Sequence, residues 1–390
     1  MKKIKFLMMA AVAVVMSMTS CSKDETSYNE TKFQQEVTDY VKQNKANDKA
    51  ILIVAFGSTW EQAFDTFEQV EQDFKAEFGP KGWDVYLGFS SAICISNAYG
   101  DGKDGENTDS KTYYDPEHWL NAIGLAGYKQ IVVQSLQVIP GEEYRNVRDV
   151  YVKNFMNNRG LRFTTEYMKS LDRNVVIGTP LMAEEEDVTK LANVLHAEKD
   201  VEAALKEGIV AFMGHGNPVK YDYYGGNIRY VQLEQALRAK SKNYYVGTVD
   251  MDQTLVDDVL ENIKGRQVTY EVGTIEMPVT YEPNAAKKAQ LFVLMSIAGD
   301  HAHNDMADAD DEESWYSMFN EAGIKTAAYE TNFATPCWKN TEEIKKNGYI
   351  PGLAERAAVR KLWMNHTADA IKKLGTEEAL STPTTEPDEE

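Results

Sequence analysis

The chain has 390 residues, 43% of them apolar, and its 61 acidic side chains outnumber 41 basic ones, for a formal charge of −20. Such a length buries one large core or two ordinary ones, and two domains are expected. The acidic excess argues against nucleic acid or an anionic bilayer surface as the main partner, and leaves a small ligand, a metal cation or another protein.

Met1-Lys2-Lys3-Ile4-Lys5 is a basic start, and Phe6 to Val15 is an apolar run too short to span a bilayer. Residues 1–20 therefore read as a signal peptide. Met18-Thr19-Ser20-Cys21 places small residues directly before a cysteine, as in the lipobox of bacterial lipoproteins. The expectation is an exported lipoprotein acylated at Cys21, on the periplasmic side or the outer-membrane surface, meeting the membrane only through that lipid. Of the other cysteines, Cys94 and Cys337, neither belongs to a C-x-x-C pair, and no metal site needs them.

Residues 21–48 read as a tether and a short helix, with Phe33, Val37 and Val41 at four-residue spacing. From 49 to 205, apolar runs alternate with amphipathic stretches: Ile51–Phe56, a helix over Gln62–Phe78, Val85–Phe89, a helix near His118–Ala126, then Ile131–Val138. This alternation predicts a parallel sheet with helices on both faces. A second lobe over 206–350 opens with Ile209–Met213. A C-terminal helix over 351–375 follows, and the Ser/Thr/Pro/Glu-rich residues 376–390 read as a disordered tail.

Three short matches suggest an internal duplication. Ala55-Phe56-Gly57-Ser58 answers to Phe212-Met213-Gly214-His215, Tyr86-Leu87-Gly88 to Tyr245-Val246-Gly247, and Ile139-Pro140-Gly141 to Ile297-Ala298-Gly299, at offsets of 157 to 159 residues. All fall at strand ends, where open parallel sheets bind their ligands. The first copy carries Ser58, Ser91 and Glu143 there, and the second carries His215, Asp250 and His301.

A lone histidine is usually satisfied by a backbone carbonyl, but here two of only six stand at equivalent strand tips. Two imidazoles and a carboxylate suit divalent Co, Fe, Ni or Zn, and the same groups accept protons near neutral pH. His303, two residues beyond His301, is a further cleft candidate. His118, His196 and His366 lie in amphipathic stretches and read as surface residues. The acidic run from Asp305 to Glu313 reads as a solvated loop or helix start, and Glu142 and Glu143 either reach the cleft or cap the following helix. Phosphate-loop, nucleophile-elbow and H-E-x-x-H signatures are missing, and no G-x-G-x-x-G follows a strand.

Val54-Ala55-Phe56-Gly57-Ser58, Val133-Gln134-Ser135-Leu136, Pro140-Gly141-Glu142-Glu143-Tyr144, Phe212-Met213-Gly214-His215-Gly216 and the stretch from Ala298-Gly299-Asp300-His301 to Ser314-Trp315 occur in one order. Together they make the chain, from about Ile51 to Lys373, resemble the anaerobic sirohydrochlorin cobaltochelatases of the class II chelatase fold. The resemblance implies an α/β protein of two similar lobes, each a parallel sheet flanked by helices, with a tetrapyrrole in the cleft between them. It implies a divalent metal, Co²⁺ first and Fe²⁺ or Ni²⁺ next, with no organic cofactor. The family's histidine, glutamate and histidine ligands fall on His215, Asp250 and His301, with an aspartate where the family has glutamate. Gln137 stands where family members often carry histidine. Segments near Gly100–Lys111 and Val272–Lys287 are extra and could reshape the cleft rim.

Two functions follow. In the first the chain is a chelatase that inserts or removes the metal, His215 and His301 being catalytic and His215 taking a pyrrole proton. In the second it is a surface receptor for haem or another tetrapyrrole, serving a transporter, with one histidine as axial ligand. A homo-oligomer is compatible with either.

Overall fold

The structure, a computed structural model, describes residues 26–99, 113–328 and 349–382. The signal peptide, Cys21, Cys337, the extra segment near 100–111 and residues 383–390 lie outside the described residues. Among the described residues no helix is long and apolar enough to cross a membrane.

The first sheet holds four parallel strands: β1 (Lys49–Ala55), β2 (Asp84–Phe89), β3 (Gln130–Ser135) and β4 (Val175–Gly178), in the order β2-β1-β3-β4. Its central strand is apolar at successive positions because both of its faces are covered. Ile51, Ile53 and Ala55 point into a core that continues into the second lobe. Ala50, Leu52 and Val54 point the other way, against Val37 and Val41 of the helix Thr26–Asn44 and Leu120 and Ile123 of the helix Pro116–Leu125. Period-two alternation inside an unbroken apolar run is the mark of a doubly covered parallel strand.

The second sheet contains β5 (Ile209–Gly214) and β6 (Tyr244–Thr248). An antiparallel hairpin of β7 (Gln267–Val272) and β8 (Ile275–Thr280) comes next in the chain. β9 (Lys288–Val293) and β10 (Lys325–Ala327) then complete the sheet in the order β10-β9-β5-β6. With the hairpin set aside, each sheet runs second, first, third, fourth in its own chain order, so the duplication extends to topology. The hairpin occupies part of the extra segment that could reshape the cleft rim, yet it packs outside. Tyr270 there bonds Asn262 of the helix Val256–Lys264 at 3.0 Å and Tyr281 at 2.8 Å.

The covering helices cross between lobes. Glu185–Ala197 packs on Ile228–Arg238, and Lys199–Glu207 packs on β5 and β9. In return Ala357–Lys372 lies on β3 and β4, where Thr367 Oγ1 donates to Gln134 Oε1 at 2.8 Å and Arg360 Nε meets Asp73 Oδ2 at 2.7 Å. Just before that helix Arg356 grips Asp200 through two bonds of 3.0 and 2.7 Å, both residues being buried. A planar guanidinium on a carboxylate fixes angle as well as distance.

Candidate metal centre

His215 is the first residue beyond β5. Gly216 follows it at φ +77°, and a side chain there would press within 2.9 Å of Met251, so the chain turns sharply only with glycine. The imidazole Nδ1 lies 2.7 Å from the Gly216 carbonyl oxygen, an acceptor only, so Nδ1 carries the proton and donates. His301 caps the short π-helical turn Ala302–Met306, and its Nδ1 lies 2.5 Å from Asp305 Oδ2. Both rings therefore turn an Nε2 lone pair away from their anchors, and neither Nε2 has a hydrogen-bond partner among the described residues.

The two ring centres are 4.7 Å apart with their planes at 86°. An ion ~2.1 Å from each Nε2 sits about 3.2 Å from each ring centre, so rings sharing one ion at octahedral to tetrahedral angles stand roughly 4.5–5.2 Å apart. The observed pair falls in that window. Burial works against charging His301, but the Asp305 hydrogen bond and the charges of Asp305, Asp250 and Asp300 outweigh it and hold the imidazole pKa above its ordinary value.

Asp250 takes a different position from the one expected. Its backbone N–H donates to the His215 carbonyl at 2.9 Å, and its Oδ2 lies 3.7 Å from His215 Nδ1, the edge already committed to Gly216. The carboxylate thus flanks the imidazole on the side away from Nε2. Among the described residues, no three His, Cys, Asp or Glu side chains are gathered to hold an ion as they stand. Asp250 is held at that edge because its own backbone N–H is bonded to the His215 carbonyl.

His215 and His301 line a cavity of about 300 Å³ between the lobes, and Ser58, Ser91, Gln137 and Glu143 line it with them. Asp250 and His303 do not. The Ser58 hydroxyl accepts the Trp60 backbone N–H at 3.1 Å. Gln137 receives the Ser135 hydroxyl on Oε1, while its buried Nε2 has no partner among the described residues. The facing wall is apolar. Phe56 and Ile93 are 53% and 57% exposed there, and Val138 and Ile139 lie deeper. No residue of the β7–β8 hairpin lines this cavity.

His303 stacks on Trp60, ring centres 3.7 Å apart and planes at 15°, and burial pushes its pKa down to about 4. His118 and His196 bond Asp115 and Tyr244 at 2.7 and 2.9 Å. His366, expected at the surface, is buried, with Nε2 3.3 Å from Asp187. Cys94 is buried with a free thiol that burial pushes up in pKa. A larger groove of about 570 Å³ lies at the opposite ends of β5, β9 and β10, beside Lys206 and Lys288, remote from both histidines.

Sequence reasoning missed Trp60, Asp300, Phe56 and Ile93, and it took Asp305 for a solvated residue. The one available signal was the four-residue step from His301 to Asp305, which puts the two side chains on one face of a helical turn.

The sequence model of the cobalt chelatase (CbiK) family matches residues 49–372. The sirohydrochlorin cobaltochelatase of Salmonella typhimurium is 27% identical over 336 residues, spanning 85% of this chain and 99% of the relative. Sirohydrochlorin cobaltochelatase CbiKC of Nitratidesulfovibrio vulgaris is 26% identical over 327 residues, spanning 84% and 92%. Among solved structures, SirB from Bacillus subtilis with Fe³⁺ aligns at a TM-score of 0.46 and 12% identity, over 84% of this chain and 96% of that one.

Proposed function

Since the chain belongs to the cobalt chelatase (CbiK) family and is a tetrapyrrole metal chelatase, we propose that it inserts Co²⁺ into sirohydrochlorin and that His215 and His301 deliver the ion. The observation that carries this reading is the pair of imidazoles 4.7 Å apart on one wall of the interlobe cavity, each with Nδ1 tied back and Nε2 unengaged.

The macrocycle lies against Phe56 and Ile93, which are exposed in its absence and offer an apolar face for a flat ring. The ion waits opposite on the two Nε2 atoms. Insertion of a divalent metal releases two pyrrole protons. As the ion leaves His215, that Nε2 becomes a base at hydrogen-bonding range of the macrocycle and takes the first proton; the Glu143 carboxylate in the same cavity takes the second. Asp250 supports His215 electrostatically from its far side.

A receptor needs one axial ligand, whereas two imidazoles side by side in the cavity suit an ion in transit, so turnover is the better account. We also assign the chain, from Met18-Thr19-Ser20-Cys21, to the exported lipoproteins. The test is spectral. The soluble protein beginning after Cys21 is mixed with sirohydrochlorin and Co²⁺, and separately with haem. Growth of the cobalt product's absorbance supports the chelatase. A haem Soret shift with no metal transfer from either mixture would replace it with the receptor.

A further inference from the structure

We propose that Trp60 is a positioning residue for the metal centre: from the first lobe it holds Asp300 and His303, which stand on either side of His301, and thereby sets where that imidazole stands. The inference rests on His301 being a metal ligand.

Trp60 lies between β1 and the helix Glu61–Phe78, across the cleft from the 299–306 segment. Its indole N–H donates to Asp300 Oδ1 at 2.7 Å, and its ring stacks on His303. Asp300 and His303 bracket His301, so one rigid side chain pins the segment on either side of the ligand. The grip is itself anchored, because the Trp60 backbone N–H donates to the hydroxyl of Ser58, a buried residue. At Gly299 the lobes come close enough that a methyl group there would stand 3.7 Å from Ser58 Oγ.

An N–H donated to a carboxylate is a charge-assisted bond, and a parallel aromatic stack adds orientation that a flexible contact lacks. Outer groups that orient a metal-binding imidazole typically change metal affinity 10- to 100-fold. Asp305 orients His301 from within its own turn, whereas Trp60, from the opposite lobe, acts on His301 only through Asp300 and His303. The place of His301 is thus conditional on a contact between the lobes.

The test uses the exported-form protein without tetrapyrrole, titrated with Co²⁺ and followed by the visible d–d absorption of the bound ion. W60A is expected to bind 10- to 100-fold more weakly with an altered band shape. W60F keeps a stacking ring and loses the donor, so it falls between W60A and wild type. In turnover the KM for Co²⁺ rises and the KM for the tetrapyrrole does not. Co²⁺ binding within twofold of wild type in W60F and W60A, with H301A weakened, overturns the role of Trp60 alone. Wild-type binding by H301A overturns the metal centre and the role of Trp60 with it. Should W60A fail to fold, W60F against wild type decides the matter.

Discussion

Asp305 Oδ2 stands 2.5 Å from His301 Nδ1, one helical turn along the same segment. The carboxylate fixes both the tautomer and the tilt of the ring, and it raises the basicity of the free nitrogen. D305A is expected to weaken Co²⁺ binding by about 10- to 100-fold, and D305N by less, because an amide oxygen still accepts from Nδ1. Equal affinities for wild type and D305A in a Co²⁺ titration would detach Asp305 from the centre.

Loss of either imidazole removes half of the paired site. H215A and H301A are each expected to abolish Co²⁺-dependent conversion of sirohydrochlorin, measured by absorbance. The double variant should be no worse than either single one, since the pair acts as a unit. Wild-type turnover in one of them removes that residue from the reaction.

Asp250 lies at the wrong edge of His215 to bind the same ion. D250A should therefore weaken Co²⁺ by less than about tenfold, through lost charge alone. D250E adds a methylene, brings the carboxylate toward the ion and should bind more tightly than wild type. A D250A defect as deep as that of H215A would show that the aspartate swings in to coordinate.

Phe56 and Ile93 are largely in solvent, so changing them should cost little stability, within about 0.5 kcal/mol. F56A and I93D should raise the KM for the tetrapyrrole about tenfold or more, equivalent to roughly 1.4 kcal/mol, and leave Co²⁺ affinity unchanged. A tetrapyrrole KM equal to wild type in both would place the macrocycle elsewhere.

Glu234 supplies a pH dependence remote from the chemistry. Burial pushes its carboxyl up to about 7, opposed by the Val246 N–H, the Tyr281 hydroxyl and the nearby guanidinium of Arg238. The folded protein holds this proton more tightly than the unfolded chain does. Its stabilisation is therefore complete below the ordinary glutamate range and is lost as pH rises through 7. E234Q carries no such proton. Between pH 5 and 8, wild type should lose stability relative to E234Q by up to on the order of 3 kcal/mol in denaturant unfolding. Parallel curves for the two proteins would mean that Glu234 stays ionised throughout.

The sheets were legible because their physics is local. A strand covered on both faces must be apolar at every position, and Ile51–Val54 and Ile209–Met213 say so without further context. The strand tips were legible through the duplication, which marked Ser58, Ser91, Glu143, His215, Asp250 and His301 as equivalents. The directions of side chains were not. Whether Asp250 faces Nε2 or Nδ1 of His215 depends on a carbonyl at Gly216 and on the bond from the Asp250 N–H to the His215 carbonyl, and neither leaves a pattern in the sequence. Trp60 meets Asp300 across 240 positions of chain, with no period to betray it. His366 looked like a surface residue on an amphipathic helix because the covering face of that helix belongs to the other half of the chain.

That exchange of covers has a consequence for how the halves came to depend on each other. A cut just after Glu207 leaves Glu185–Ala197, which packs on the helix Ile228–Arg238, and Lys199–Glu207, which packs on β5 and β9, with the first fragment. The same cut leaves the roof of the first sheet, Ala357–Lys372, on the second fragment. Each piece would hold a sheet that has lost part of its cover, beside helices shaped for its sibling. The two halves are thus one cooperative unit, each covered in part by helices from the other.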